Sequence, residues 1–156
     1  MKTAVVYWSG TGNTEAMAKE VEQGMKAAGA EVEVFEAAAF SGDKMGEYDA
    51  VAFGCPSMGD EELEDTEFAP MFDDCKSGLS GKKIGLFGSY GWGDGEWMRN
   101  WEASCKEEGA NLVQDGVICN EEPDDEAKEA CQNLGKALVQ FIRKVSDSEQ
   151  TQKEQF

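Results

Sequence analysis

Short apolar runs alternate with helix-periodic segments along most of the chain, and that alternation leaves few ways to fold. Thr3–Trp8, Tyr48–Gly54 ("YDAVAFG") and Lys82–Gly88 ("KKIGLFG") are β-rich and bounded by turn residues, as strands buried on both faces are. Glu31–Glu36 alternates Val32 and Val34 with Glu31 and Glu33, the pattern of a half-covered strand. Leu112–Cys119 reads as a fifth strand. Between them, Met17, Val21, Met25 and Ala28 recur at helical steps over Asn13–Ala28, and Gly29 supplies the stop. A short helix is expected over Phe68–Lys76. A second, Glu96–Glu108, sets Trp97, Trp101 and Cys105 on one face, where they should be core. The last helix begins after Pro123 with Asp124, Asp125 and Glu126, acids suited to the positive end of a helix dipole. Its apolar stripe is Ala127, Cys131, Leu134, Leu138, Phe141 and Val145. Strands alternating with helices predict an α/β fold, a doubly wound parallel sheet of five strands with helices on both faces. Residues 146–156 ("SDSEQTQKEQF") are polar and aperiodic, which predicts a disordered tail after one domain over 1–145.

Right-handed crossovers bring the loops after strands one, three and four to one end of such a sheet. Ligands bind at that end, where the strand order reverses. The three loops are "SGTGNT", "GCPSMGDEE" and "GSYGWGDG". The first lacks the Lys of a nucleotide-triphosphate loop, and Glu15 stands where a dinucleotide fingerprint needs its third Gly. Gly10 and Gly12 still let the backbone bend around a group. The helix starting near Asn13 offers free N–H donors at its positive end. Ser9, Thr11 and Thr14 add hydroxyls. Together they suit one phosphate dianion held without a cation, although the same residues also make an ordinary helix-capping turn. In the third loop, Tyr90 and Trp92 stand among glycines rather than at a periodic core position. Trp92 there suits stacking on a flat ligand, the alternative being a ring that covers the sheet edge. In the second loop Met58 supplies an adaptable apolar wall, Gly59 unusual backbone angles, and Asp60 and Glu61 acceptors or merely solvated charges. One phosphate and one flat ring between Met58 and Trp92 describe flavin mononucleotide (FMN).

Composition narrows the partners. The 156 residues hold 14 Lys and Arg against 32 Asp and Glu, a formal charge of -18. Such a surface repels nucleic acid and anionic membranes and attracts basic proteins, though acidity also serves solubility alone. With no His, Ser–His and Cys–His nucleophile pairs are excluded. The five Cys form no C-x-x-C pair, so metal knuckles are not expected, and the thiols read as small buried hydrophobes. The apolar run in "MKTAVVYW" is too short for a signal peptide and no segment reaches membrane-spanning length. A cytoplasmic protein is expected.

The stretches "YWSGTGNTEAMA", "GCPSMGDEELE" and "GKKIGLFGSYGWGDGEWMR" resemble the flavodoxins, specifically the short-chain, clostridial-type branch, in order and spacing over about residues 1 to 145. Flavodoxin is itself an example of the strand-order rule used above, so that step is not independent support. The resemblance implies strand order 2-1-3-4-5 and an uninterrupted fifth strand. It implies one non-covalent FMN and one-electron shuttling at low potential through a neutral semiquinone, in a monomer that is not an enzyme. The phosphate loop corresponds to Ser9, Gly10, Thr11, Gly12, Asn13 and Thr14. The redox-sensing loop corresponds to Pro56, Ser57, Met58, Gly59, Asp60 and Glu61, with Met58 on the inner ring face, the Gly59 backbone near flavin N5 and Glu61 accepting from N3–H. Ser89, Tyr90, Gly91, Trp92 and Gly93 correspond to the loop over the outer face and pyrimidine edge. Asn120 is implied near the ribityl chain. No catalytic or metal-binding residue is implied.

A flavodoxin-like flavin or quinone reductase is the alternative. It needs room for a second substrate over the ring, which Trp92 opposes. A signalling receiver of the same fold needs an acidic cluster after the first strand, where this chain has "SGTGNT".

Overall fold

The computed structural model describes the backbone of residues 1–154 and the side chains of residues 1–141. The strands are β1 (Lys2–Tyr7), β2 (Glu31–Glu36), β3 (Ala50–Gly54), β4 (Lys83–Tyr90), β5 (Asn111–Leu112) and β6 (Val117–Asn120). The helices are α1 (Asn13–Ala27), α2 (Phe68–Cys75), α3 (Glu96–Glu107) and α4 (Asp125–Glu154). The sheet order is β2-β1-β3-β4-β5, with β6 also on β4, and all these pairings are parallel. The doubly wound architecture is therefore as expected. The tail expected over 146–156 lies outside the residues whose side chains are described.

The fifth strand departs from the reading of one run over Leu112–Cys119. Ile84 pairs with Leu112 and Phe87 with Val117, so three steps along β4 match five along its partner. Gln114, Asp115 and Gly116 explain the break, since they offer no apolar side chain to bury. The Gly116 N–H instead donates to the Glu102 carboxylate, 3.0 Å away. Leu112 and Val117 still take their places beside β4.

Period-two alternation divides the strands between two apolar layers. Ala4, Val6, Val51, Phe53, Ile84 and Leu86 face α2 and α3, where they meet Phe68, Phe72, Trp97 and Trp101. Val5, Tyr7, Ala50, Ala52 and Phe87 face α1 and α4, meeting Met17, Val21, Met25, Leu134 and Leu138. The described members of the expected stripes are buried, except that Ala28 is half-buried and Phe141 of α4 is exposed; Val145 lies outside the residues whose side chains are described. Helices α1 and α4 touch backbone to backbone. A side chain at Gly24 would collide with the Gln132 carbonyl, and one at Gly135 with the Val21 carbonyl. Four of the five free thiols are buried and Cys119 is half-buried. Desolvation pushes Cys75, Cys105 and Cys131 up to about 12, so these are packing groups.

Glu64 is the one buried carboxylate among the described residues, 4% exposed. It closes the N-terminus of α2. Its oxygens accept from the backbone N–H of Thr66 at 2.6 Å, of Glu67 at 3.0 Å and of Phe68 at 2.9 Å, and from the Thr66 hydroxyl. Burial alone would raise its pKa; the bonds from Thr66, Phe68 and Glu67 outweigh that and hold it below 4.5. Glu64→Gln should cost about 1.5–3 kcal/mol in urea unfolding at pH 7, the range for bonds to a charged group. A group whose pKa is lowered by folding stabilises above its unfolded pKa. The gap between wild type and variant should therefore shrink as pH falls below 4.5. A gap that stays constant down to pH 3 would show that the charge contributes nothing.

Candidate functional site

The carboxyl ends of β1, β3 and β4 meet at one edge of the sheet, and backbone bonds continue the sheet past them. Trp8 N–H donates to the Gly54 carbonyl at 3.0 Å, Cys55 N–H to Phe87 at 3.1 Å and Ser57 N–H to Ser89 at 3.0 Å. These bonds fix the roots of the three loops. Above them opens a cleft of about 200 Å³. Ser9, Gly10, Thr11, Asn13 and Thr14 line it from the first loop, Pro56, Ser57 and Met58 from the second, and Ser89, Tyr90 and Gly91 from the third.

The first loop is a cradle at the start of α1. Gly12 is the N-cap with φ +96° and gives no side-chain cap. The first-turn N–H groups of a helix have no partner within it, and here they point, with the positive dipole end, toward the cleft. Ser9 Oγ accepts from the Gly12 N–H at 3.1 Å, which folds the loop. Thr14 Oγ1 is buried and has no hydrogen-bond partner in the protein. A buried hydroxyl in this condition is costly unless something else accepts from it. No Lys or Arg lines the cleft. The residues present thus fit a phosphate group bound by neutral donors.

The second loop is a tight hairpin. Met58 and Glu62 exchange two backbone bonds of 2.8 Å across Gly59, Asp60 and Glu61. Gly59 has φ +54° and Glu61 φ +55°. A Cβ on Gly59 would meet no atom, so backbone conformation, not packing, calls for glycine there. Glu61 Oε1 accepts from the Glu96 N–H at 3.0 Å. Since the N-cap of α3, Gly95, has no side chain to offer, Glu61 caps α3 from the second loop and ties that loop to the third. Oε2 of Glu61 stays available for another donor.

Met58, in the cleft wall, and Trp92, on the third loop, are both exposed, Trp92 to 61%. Tyr90 is half-buried against the Trp97 ring, with centroids 5.5 Å apart. Gly59, Asp60, Glu61, Trp92 and Gly93 stand outside the lining of the cleft. Asn120 lies on a different hollow, with Ile118 and Ala130. The cleft wall expected from Asn120 is made by Glu121, whose N–H donates to the Tyr90 carbonyl at 2.8 Å and whose carbonyl accepts from the Ser89 hydroxyl at 2.6 Å. Trp8 also lines the cleft, its ring lying over Gly10. Its place at the end of an apolar strand, just before the glycine loop, is the signal that could have found it. Glu121 carries no comparable signal, because one acid among several looks like solvated surface.

Sheet and cleft define an open, parallel α/β protein with a cleft at the carboxyl edge of its strands whose residues fit a phosphate group. Comparison with known proteins gives the family. The flavodoxin family model matches residues 5–135. The chain is 49% identical over 135 residues to a flavodoxin of Megasphaera elsdenii, covering 86% of this chain and 96% of that one. It is 42% identical to a flavodoxin of Clostridium beijerinckii, covering 86% and 97%. The solution structure of two-electron-reduced Megasphaera elsdenii flavodoxin superposes with a TM-score of 0.82 at 48% identity, covering 88% and 98%. The chain belongs to the flavodoxin family of electron-carrying flavoproteins, as its motifs implied.

Thr14→Val tests the cradle with opposite signs. The variant removes a hydroxyl without a protein partner, so the FMN-free protein should be unchanged or more stable in thermal unfolding. FMN affinity should fall several-fold to about tenfold, the worth of one net hydrogen bond of about 0.5–1.5 kcal/mol. Unchanged affinity by fluorescence titration would remove Thr14 from the phosphate site.

Proposed function

We propose that this protein is a low-potential, one-electron carrier that binds one FMN non-covalently and passes electrons between redox enzymes. The observation that carries the reading is the cation-free cradle with its unpartnered Thr14 hydroxyl, in a cleft whose wall includes Met58 and whose third loop carries the exposed Trp92. Bound FMN supplies reversible one-electron chemistry, and the chain supplies everything around it. Ser9, Thr11, Asn13, Thr14 and the first turn of α1 hold the phosphate. Met58 and Trp92 take the two faces of the ring, and the backbone of residues 89–93 takes its pyrimidine edge. Glu61 Oε2 accepts from N3–H while Oε1 keeps α3 capped. The carbonyl of the Gly59–Asp60 peptide would accept a hydrogen bond from the flavin N5 position when that nitrogen carries a proton.

Charge then sets the potential. No cation lines the cleft, and the phosphate brings about two negative charges. Arg99 ion-pairs with Asp94 at 2.9 Å and holds that carboxyl below its usual range, so Asp94 is offset. Asp60, Glu61 and Glu121 have no such partner among the described ion pairs. A further negative charge on the ring is therefore disfavoured, and each tenfold in that disfavour lowers the second potential by about 59 mV. Stepwise reductive titration is the deciding experiment. A blue, one-electron-reduced form should accumulate before full reduction. Passage straight to the fully reduced state, or fast unaided turnover of NADH, would instead indicate the reductase.

The Gly59 conformation generates a second expectation. Rotation of the Gly59–Asp60 peptide needs a residue free to change its turn form. Gly59→Thr should bind oxidised FMN nearly as well, yet lower the first potential and thin the blue intermediate. Equal weakening of all redox states would make Gly59 a passive turn residue.

Docking belongs to the same reading. Basic redox proteins should approach the exposed ring edge between Met58, Glu62, Asp65 and Trp92, as a monomer meets its partner. Five free thiols accord with a reducing, cytoplasmic setting. Among the described residues no helix is long and apolar enough to cross a membrane. Electron-transfer rates with a basic partner should fall steeply with added salt, because exposed charges are screened over about 10 Å at 0.1 M. Rates indifferent to salt would leave the acidic surface to solubility alone.

A further inference from the structure

Two buried side-chain polar atoms have no hydrogen-bond partner among the described residues: Thr14 Oγ1 and Trp101 Nε1. Thr14 lines the cofactor cleft. Trp101 lines a second cavity of about 350 Å³ between α2, α3 and the segment that follows the second loop. That volume falls in the range of small-molecule pockets, about 300–1,000 Å³. The cofactor cleft and this cavity have no lining residue in common. Ordinary packing explains Trp101 as a ring: it is 3% exposed and meets Phe68 and Phe72 edge-on at 5.4 and 5.7 Å. Packing does not explain an indole N–H with no acceptor, since Phe would fill a core position without that cost.

The rest of the cavity narrows what could supply the acceptor. Leu63, Ala69, Phe72 and Trp97 give apolar walls. The lining also carries Glu61, Glu62, Asp65 and Asp73, the neutral Asn100 and Ser104, and Lys76 as its one cation; neither Asn100 nor Ser104 is bonded to the Trp101 N–H. Lys76 is already paired with Asp73 at 3.1 Å, whereas Glu62 and Asp65 have no partner among the described ion pairs. An anion is repelled there and a cation is attracted.

We propose that this cavity is a second ligand site, for a small aromatic cation that carries a carbonyl acceptor. The ring lies on Leu63 and Phe72, the carbonyl takes the Trp101 N–H, and the positive group meets Glu62 and Asp65. The site adjoins the cofactor loop through Glu61 and overlaps the proposed docking face at Glu62 and Asp65, but its ligand does not depend on the electron-carrier reading.

Phenylalanine amide is a suitable probe, with a ring, a carbonyl and a positive charge; N-acetylphenylalanine is its anionic control. The FMN-loaded, 15N-labelled protein has four tryptophans, hence four indole N–H resonances, and Trp101→Phe assigns the one in question. Titration with the amide should shift the Trp101 resonance saturably at millimolar concentration and leave Trp8 and Trp92 in place. The anion should bind at least tenfold more weakly. Ala69→Leu, which fills the cavity, should abolish the shift while FMN absorbance stays that of wild type; Ser104→Leu serves the same purpose from α3. The proposal is overturned by an unmoved Trp101 resonance, by shifts at Trp8 or Trp92 instead, by equal binding of the anion, or by binding that survives in a folded, cavity-filled variant.

Discussion

Every strand pairing in this sheet is parallel, so every strand delivers its carboxyl end to the same edge. Parallel strands need crossovers, and the helices that make them return the chain to the opposite edge. The loops that leave the carboxyl edge are therefore gathered whatever their sequences. What the chain adds is control of one helix. The backbone contact at Gly24 and Gly135 seats α1 against α4. The uncapped start of α1 is thereby fixed beside the ends of β1 and β3. A phosphate cradle made of N–H groups depends on that fixed placement, because no flexible cationic side chain is present to follow a displaced ligand.

Much of this was legible in the sequence because two patterns carry it. The unbroken apolar run Ala4–Tyr7 and the helical steps of Met17, Val21 and Met25 are local patterns that report burial directly, and the structure buries them as read. The cleft residues of the three loops were legible for a different reason. Glycines, hydroxyls and aromatics concentrated outside periodic segments have little structural use there. What stayed hidden depends on tertiary register. Nothing local says that Gln114 and Asp115 would slip out of pairing, since the break is visible only against β4. Glu121 rather than Asn120 faces the cleft because the chain turns at φ +59° just after β6. Glu61 as the cap of α3 joins positions 35 residues apart, beyond any local pattern.

Glu61 also shows how strain and charge are combined. A non-glycine residue in the left-handed region is disfavoured, and two backbone bonds between Met58 and Glu62 hold it there. Its carboxylate lies at the positive end of α3, the favourable place for a negative charge. The same side chain that adds negative charge beside the cleft is thus stabilised by a dipole from the neighbouring element. The second loop and the loop that carries Trp92 share this contact as well as the Ser57–Ser89 bond, so displacing one strains the other.

The interruption of the fifth strand has a consequence for how copies of this chain meet. A sheet has two open edges, and each offers unpaired N–H and C=O groups to a stranger. On the β2 side, Glu31, Glu33 and Glu36 make a second β2 an unwelcome neighbour through like charge. The other edge has no such row of charges. There, the two-residue β5 and four-residue β6, separated by looped-out residues, present no continuous ladder. An incoming strand in register with one piece is out of register with the other. The break removes a template for aggregation from that edge of the sheet.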